Sequence, residues 1–175
     1  MNIVVETLTQ TPWWVYLLFF VLVRRGLAAA RPSVVPVWKL SIMPLIFLVL
    51  DITGMTGHSR MPASVILVTL LSLACGALAA SFLVRHVAVK ADRAAWRIGL
   101  PGDPMVLPTA LAAFAVKYAV GYLQATSLAL ASTGGFLVIS LAVSSFFTGI
   151  FFGRFFTYLF KFFSAPTEAL SAKGA

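Results

Sequence analysis

Apolar residues are concentrated in five long stretches, separated by short connections that contain Gly, Pro and basic residues. The clearest stretch, residues 62–84, carries no charge and has only Ser, Thr and Cys as polar side chains. A helix of about 20 apolar residues crosses the hydrocarbon core of a bilayer, so this stretch predicts a transmembrane helix. We predict an all-α membrane protein with five such helices in one domain, over residues 12–30, 37–54, 62–84, 104–131 and 135–156.

The first two stretches are less regular than the third. The uninterrupted apolar run at residues 13–23 is short for a span, so the first helix crosses only if Arg24 and Arg25 extend to the headgroups. In the second stretch, Pro44 removes a helical hydrogen bond and predicts a kink. The last helix can continue toward Phe163, within a C-terminal tail that we place at residues 157–175.

A different periodicity distinguishes residues 86–101, between the third and fourth predicted spans. Apolar side chains occupy alternate positions on both sides of a short connection at residues 92–95. Alternation of this kind is typical of strands with one buried face, and it predicts a β-hairpin at the cytoplasmic surface. A short amphipathic helix is the alternative. The alternating residues are Val87, Val89, Ala91, Trp96, Ile98 and Leu100.

The composition indicates a membrane location. The chain is 61% hydrophobic and 10% charged, whereas soluble domains carry about 25% charged residues. Its 13 Lys and Arg outnumber five Asp and Glu, which in a soluble protein would suggest a nucleic-acid partner. Here they fall at the ends of apolar stretches, where basic residues meet anionic lipid. We therefore expect the lipid bilayer as a partner and no nucleic acid.

The basic residues also predict the orientation, because cytoplasmic loops carry an excess of Lys and Arg. Three regions are rich in them: the loop at residues 24–39, the predicted hairpin, and the region from Arg154 onward. With five spans, all three regions fall on one side of the membrane. This arrangement places the N-terminus outside and the C-terminus in the cytoplasm, in a bacterial inner membrane.

Lys117 is the candidate residue that the remaining spans surround. It lies in the middle of an apolar stretch, where an ammonium group must find water, carbonyl oxygens or a carboxylate. Asp51 is the one acidic residue inside a predicted span, and the long lysine side chain can reach it. The pair could bind and release a proton or hold an anion; alternatively, it only fixes the packing of two helices. Further candidates for this polar site are Gln124, Tyr118, Tyr122, Ser144 and Thr148.

Small residues repeat along three predicted helix faces. On the fourth helix, Ala110, Ala113, Lys117, Gly121 and Gln124 form a stripe that we expect to face the bundle. In the third and fifth helices, small residues spaced by about one turn allow close helix contact. These packing residues are Ser72, Gly76 and Ala80, and Ser145, Gly149 and Gly153.

Residue types that bind metals or cofactors are sparse. Cys75 is the single cysteine, which excludes an intrachain disulfide, and we expect it to be buried. No His, Cys and carboxylate cluster has the spacing of a metal site, and we expect no cofactor. Neither a phosphate-binding glycine loop nor a nucleophile elbow is present. These observations favour a protein that is not an enzyme.

Four stretches resemble a family of bacterial inner-membrane proteins of unknown function with about five spans. They are Thr11–Val15, Asp92-Arg93 with Leu100–Gly102, Phe114–Tyr122, and Gly149–Arg154. The order of spans and hairpin is also similar, more remotely, to CcdC-type membrane proteins. Neither resemblance implies catalytic residues.

We predict a non-enzymatic accessory or scaffold protein that packs against itself or a larger membrane complex through its small-residue faces. The alternative is a small ion- or proton-coupled transporter or channel that uses Asp51 and Lys117, and that works as an oligomer.

Overall fold

The computed structural model describes residues 13–55, 62–127 and 133–166. It is mostly helical. The elements are α1 (Trp13–Ala29), β1 (Ser33–Pro36), a 3₁₀ helix (Val37–Ser41), α2 (Ile42–Met55), α3 (Ala63–Val84), β2 (Lys90–Asp92), β3 (Arg97–Leu100), α4 (Val106–Thr126) and α5 (Gly134–Ser164). Parts of the predicted first and fourth spans (residues 12 and 128–131) and of the tail (residues 167–175) lie outside the described residues.

Three of the described helices, α3, α4 and α5, are long and apolar enough to cross a membrane. Within the described residues, the α1 and α2 helices contain 17 and 14 residues, which is fewer than the roughly 20 that a span perpendicular to the bilayer needs. The α5 helix contains 31 residues. At 1.5 Å per residue its length is about 46 Å, so its last turns extend past a hydrocarbon core of about 30 Å.

The predicted kink at Pro44 is wrong. Residues Val37–Ser41 form a 3₁₀ helix and the α-helix begins at Ile42, so Pro44 falls in the first turn of α2. The N–H that proline lacks has no intrahelical partner in a first turn. Cys75 is also placed differently from our expectation, because it is exposed on α3.

The α3 and α5 helices form the closest helix pair. A Cβ atom at Gly149 would overlap the carbonyl oxygen of Leu73, and one at Gly153 would overlap that of Ala77. Gly76 faces the backbone of α5 in the same way. The two predicted small-residue rows therefore pack against each other within one chain and are not presented to a partner. Gly76, Ala80, Ser145, Gly149 and Gly153 are buried and Ser72 is half-buried.

The predicted hairpin is part of a three-stranded antiparallel sheet with the order β1-β3-β2. Ala91 pairs with Ile98, and both side chains are fully buried, as the alternating pattern predicted. The third strand, Ser33–Pro36, was expected to be a loop. Its Val35 pairs with Ile98 from the other side of β3, and Pro36 ends this edge strand, where a missing N–H is tolerated.

The buried face of the sheet packs on the C-terminal end of α5. One apolar cluster joins residues of β2, β3, the 3₁₀ helix, α3 and α5: Val37, Val84, Ala91, Ile98, Tyr158 and Phe162. The contacts among β1, the hairpin and the end of α5 bring the three basic regions to one end of the bundle. We call this end the sheet end.

Basic side chains cap two helix C-termini at the sheet end. Lys161 Nζ on α5 donates to the carbonyl oxygens of Val84, Arg85 and Val87 at 2.7, 2.8 and 2.7 Å. Arg93 in the hairpin donates to the carbonyl oxygens of Phe163 and Ala165 at the end of α5. The last carbonyls of a helix lack intrahelical partners and carry the negative end of its dipole, so these contacts fix the sheet onto the helices.

Candidate functional site

Lys117 and Asp51 form an ion pair between α4 and α2. Lys117 Nζ donates to Asp51 Oδ1, and the two side chains are only 11% and 10% exposed. The sequence nominated the two residues because each is charged within an apolar stretch, and the structure brings them together. An isolated charge at the centre of a membrane costs about 2.5–3.5 kcal/mol on insertion scales, and pairing offsets part of that cost.

The pair lies near the middle of the bundle. Both α2 and α4 start at the sheet end, and at 1.5 Å per residue Asp51 lies about 14 Å from the start of α2. Lys117 lies about 16 Å from the start of α4 by the same estimate. Lys117 is therefore near the middle of α4, one of the three described helices that are long and apolar enough to cross a membrane.

A fully apolar layer lies one helical turn from the pair, on its sheet-end side. Phe47 precedes Asp51 on α2 and Ala113 precedes Lys117 on α4. These two residues pack with side chains of α1 and α5 in one buried cluster: Leu22, Phe47, Ala110, Ala113 and Phe151. We call this cluster the apolar layer.

Three other predicted members of the polar site make contacts within their own helices. Thr148 Oγ1 donates to the Ser144 carbonyl on its own helix at 3.2 Å, and both residues are buried. Tyr118 stacks on Phe114, with ring centroids 6.3 Å apart. Gln124 is half-buried and Tyr122 is exposed.

The residues of the predicted stripe on α4 lie in different environments. Ala110 and Ala113 are buried in the apolar layer, and Lys117 is paired. Gly121 is exposed, and a Cβ atom built there would have no other atom of the described residues within 4 Å. The expectation that the whole stripe faces the bundle is therefore wrong at Gly121, whereas Gln124, one turn further along, is half-buried.

A cavity of about 250 Å³ lies at the sheet end, on the opposite side of the apolar layer from the pair. Most of its lining is apolar. It comes from α1, β1, the 3₁₀ helix, α2, the loop before β2, β3 with the loop after it, α4 and α5. Its charged and hydroxyl-bearing residues are Arg25, Ser33, Lys39, Asp103, Arg154 and Tyr158. We call it the sheet-end cavity.

A second ion pair forms part of the wall of this cavity. Arg154 Nη1 on α5 donates to Asp103 Oδ2 at 2.6 Å, and Arg154 is 8% exposed. Arg154 Nε is buried without a hydrogen-bond partner among the residues that the structure describes. In the sequence, Arg154 begins a basic region and Asp103 directly precedes the fourth predicted span, and nothing in their spacing predicted that they pair.

The loop that carries Asp103 is held tightly against the end of α1. Gly102 has a φ of +83°, and a Cβ atom there would lie 2.8 Å from the carbonyl carbon of Arg31. The Asp103 N–H donates to the Ala29 carbonyl at 2.7 Å. Asp103 Oδ1 accepts from Met105 N at 2.9 Å, as a cap does, although α4 begins only at Val106. These contacts hold the Asp103 carboxylate in position independently of its ion pair with Arg154.

Among the described residues, no group of three or more His, Cys, Asp and Glu side chains could hold a metal ion. His86 is exposed and accepts from Arg85 Nε at 2.9 Å. Comparison with protein-family models, curated proteins and solved structures finds no match. The resemblance to a bacterial inner-membrane family therefore stays a prediction.

Proposed function

We propose that the chain crosses a bacterial inner membrane five times, with α1 and α2 as spans beside α3, α4 and α5, and with the sheet end in the cytoplasm. The location of the basic residues supports this orientation. Arg31, Lys90, Arg97 and Lys161 lie on elements that contact one another at the sheet end, and positive charge is enriched on the cytoplasmic side of membrane proteins.

We further propose that the chain is a small proton- or ion-coupled transporter, not an enzyme. The observation that carries this proposal is the Lys117–Asp51 pair, which joins two helices near mid-depth. Charged residues at this depth in membrane proteins commonly belong to ion pathways and proton relays. A proton that binds Asp51 neutralises the carboxylate and releases Lys117 to hold an anion. Loss of that proton restores the pair.

The sheet-end cavity and the apolar layer fit such a cycle. The cavity gives access from the cytoplasmic side as far as Phe151, which contributes to both features. Beyond it, the buried rings and methyl groups of the apolar layer exclude water from the pair. We propose that this layer is the closed gate, so that transport requires it to part.

Proton flux in proteoliposomes tests the transport proposal. The purified chain is reconstituted in vesicles that contain a pH-sensitive dye, and a pH gradient is imposed. We expect the wild-type protein to dissipate the gradient faster than empty vesicles. Lys117→Met and Asp51→Asn should each abolish that flux, whereas Arg24→Gln, which removes an exposed charge, should retain it.

Two outcomes would overturn this proposal. One is a wild-type flux equal to that of empty vesicles. The other is a normal flux in both pair variants, which would leave the pair with a packing role only. Thermal unfolding in detergent shows whether a loss of flux reflects a loss of folding. If each single variant is less stable than the wild type and the double variant recovers the stability, the pair contributes to packing. Flux must then be measured on the double variant.

The accessory or scaffold function is the second candidate. The packing of the two small-residue rows against each other removes the surface on which the sequence based it. The observation that still favours a partner is the open face of α4, where a Cβ atom at Gly121 would contact no other atom of the described residues and Tyr122 and Leu123 are exposed. Small residues let transmembrane helices approach closely.

Mild detergent extraction followed by size measurement tests the accessory function. A dimer or larger complex that Gly121→Leu disrupts, with Gly134→Leu as the matched control, would support it. A wild-type protein that elutes as a monomer with no co-purifying chain would exclude it.

A further inference from the structure

The sheet-end cavity has the charge of an anion-binding site. Three cationic side chains, those of Arg25, Lys39 and Arg154, line it together with a single carboxylate, that of Asp103. The carboxylate neutralises one cation, so the lining has a net positive charge. An anion in the cavity would therefore be attracted by more than one fixed cation.

Arg154 has donor capacity that its ion pair does not use. A guanidinium group has five N–H donors in a planar fork, and Asp103 accepts from Nη1. Nε is buried and has no hydrogen-bond partner in the described part of the chain. Because Arg154 lines the cavity, an anion there can approach its guanidinium group, and the oxygens of a phosphate group are the acceptors that a guanidinium binds best.

The rest of the lining is unsuited to a free ion. Val35, Leu40, Met43 and Phe155 are among the apolar side chains that form most of the cavity wall. Free phosphate would lose hydration against this surface and gain nothing from it. A ligand with a phosphate at one end and hydrocarbon at the other satisfies both parts of the wall.

The size and location of the cavity indicate which part of such a ligand it holds. Its volume of about 250 Å³ is slightly below the roughly 300–1,000 Å³ of sites that enclose a drug-sized molecule. Ala28 lines the cavity and is exposed on α1, so the cavity opens beside that helix. A headgroup can enter there while acyl chains remain outside, in the bilayer.

We propose that the sheet-end cavity binds the phosphate headgroup of an anionic phospholipid, with Arg154 and Arg25 as the main donors and the apolar wall against the glycerol region. Basic pockets between helices on the cytoplasmic side of membrane proteins bind such headgroups. This inference uses residues on the far side of the apolar layer from Lys117 and Asp51. A bound headgroup would occupy the cytoplasmic access route proposed above, but lipid binding is measured without flux, so the test of one proposal does not decide the other.

Lipid retention measured by native mass spectrometry tests the proposal. The delipidated full chain in detergent is titrated with dioleoyl phosphatidylglycerol or dioleoyl phosphatidylcholine. We expect about 25-fold tighter binding of the anionic lipid, since two cations each contribute about a fivefold preference. Arg25→Gln should lower affinity for phosphatidylglycerol by about fivefold, while the adjacent Arg24→Gln, which does not line the cavity, should leave it unchanged.

A steric variant separates the cavity from general surface charge. Ala28→Phe keeps every charge but narrows the opening, so it should also weaken phosphatidylglycerol binding. Because Arg154→Gln leaves Asp103 unpaired and can impair folding, the test rests on Arg25 and Ala28.

Three results would overturn the proposal. The first is equal affinity for the two lipids, and the second is an equal loss with Arg24→Gln and Arg25→Gln. The third is displacement of the lipid by inorganic phosphate at matched concentration, which would assign the cavity to a free ion.

Discussion

The rings of Phe47 and Phe151 lie parallel to each other, with centroids 4.5 Å apart and an interplanar angle of 3°. Phe47 is one turn from Asp51 on α2, and Phe151 is one turn from Arg154 on α5. The stacked rings thus lie between the Lys117–Asp51 ion pair and the Arg154–Asp103 ion pair in the wall of the sheet-end cavity. Each charge pair is shielded from the other by an apolar layer.

Phe47→Ala should destabilise the protein strongly. Phe47 is fully buried, and truncation of a buried phenylalanine leaves a cavity that costs about 3 kcal/mol or more. Titration with SDS in mixed micelles measures the free energy of unfolding. Phe160→Ala is the matched control because that ring is 72% exposed. An equal loss for both variants would contradict the assignment of Phe47 to the core.

Gly149→Ala and Gly121→Ala should have opposite effects. A methyl group at Gly149 would overlap the α3 backbone, so the two helices must separate and the melting temperature should fall by several degrees. A methyl group at Gly121 would contact no other atom of the described residues, and alanine is a better helix former than glycine by about 1 kcal/mol. Thermal unfolding in detergent should therefore show a small increase or no change for Gly121→Ala. A fall of similar size in both variants would be inconsistent with the α3–α5 contact.

Lys161→Met should loosen the sheet end. It removes three charged hydrogen bonds to the end of α3, and we expect a loss of about 1–2 kcal/mol, because the group is partly open to solvent. Lys161→Arg should retain most of the stability, and Arg24→Met should retain all of it. The free energy of unfolding in SDS titrations measures these differences. Wild-type stability in Lys161→Met would show that the carbonyls are satisfied equally well by water.

Cysteine labelling should place the two ends of the bundle on opposite sides of the membrane. In a Cys75→Ala background, Ala95→Cys lies in the exposed turn of the hairpin and Gly134→Cys lies at the exposed start of α5. A membrane-impermeant maleimide should label Gly134→Cys in intact cells and Ala95→Cys only in inverted vesicles. The reverse pattern, or labelling of both from one side, would refute the proposed orientation.

The sequence predicted elements well where one local pattern determined them. The 22 residues of α3 match the predicted span at residues 62–84 because a long uncharged apolar run has no other low-energy state in a bilayer. Period-two alternation placed Ala91 and Ile98 on the buried face of the hairpin. The conclusion that the chain is mostly helical and has membrane-length apolar helices is confirmed. The count of five spans stays a prediction.

Features that depend on two distant segments were predicted only when chemistry allowed few partners. Lys117 and Asp51 could be matched because charges are rare inside spans and must be neutralised there. Arg154 and Asp103 could not be matched, since each had a sufficient local explanation as a helix end or cap. Ser33–Pro36 became a strand only because β3 had a free edge for it.

Local sequence patterns were enough to predict most of the helical segments, the distribution of charge and the residues that are small enough for close contact, because these properties belong to short stretches of chain. Which faces meet became clear from the three-dimensional packing. The two small-residue rows pack on each other, Gly121 is exposed, and the sheet-end cavity is assembled from elements that are far apart in the sequence. The reason is that helix faces pair by backbone approach and shape, and many pairings of apolar faces are compatible with the same hydropathy pattern.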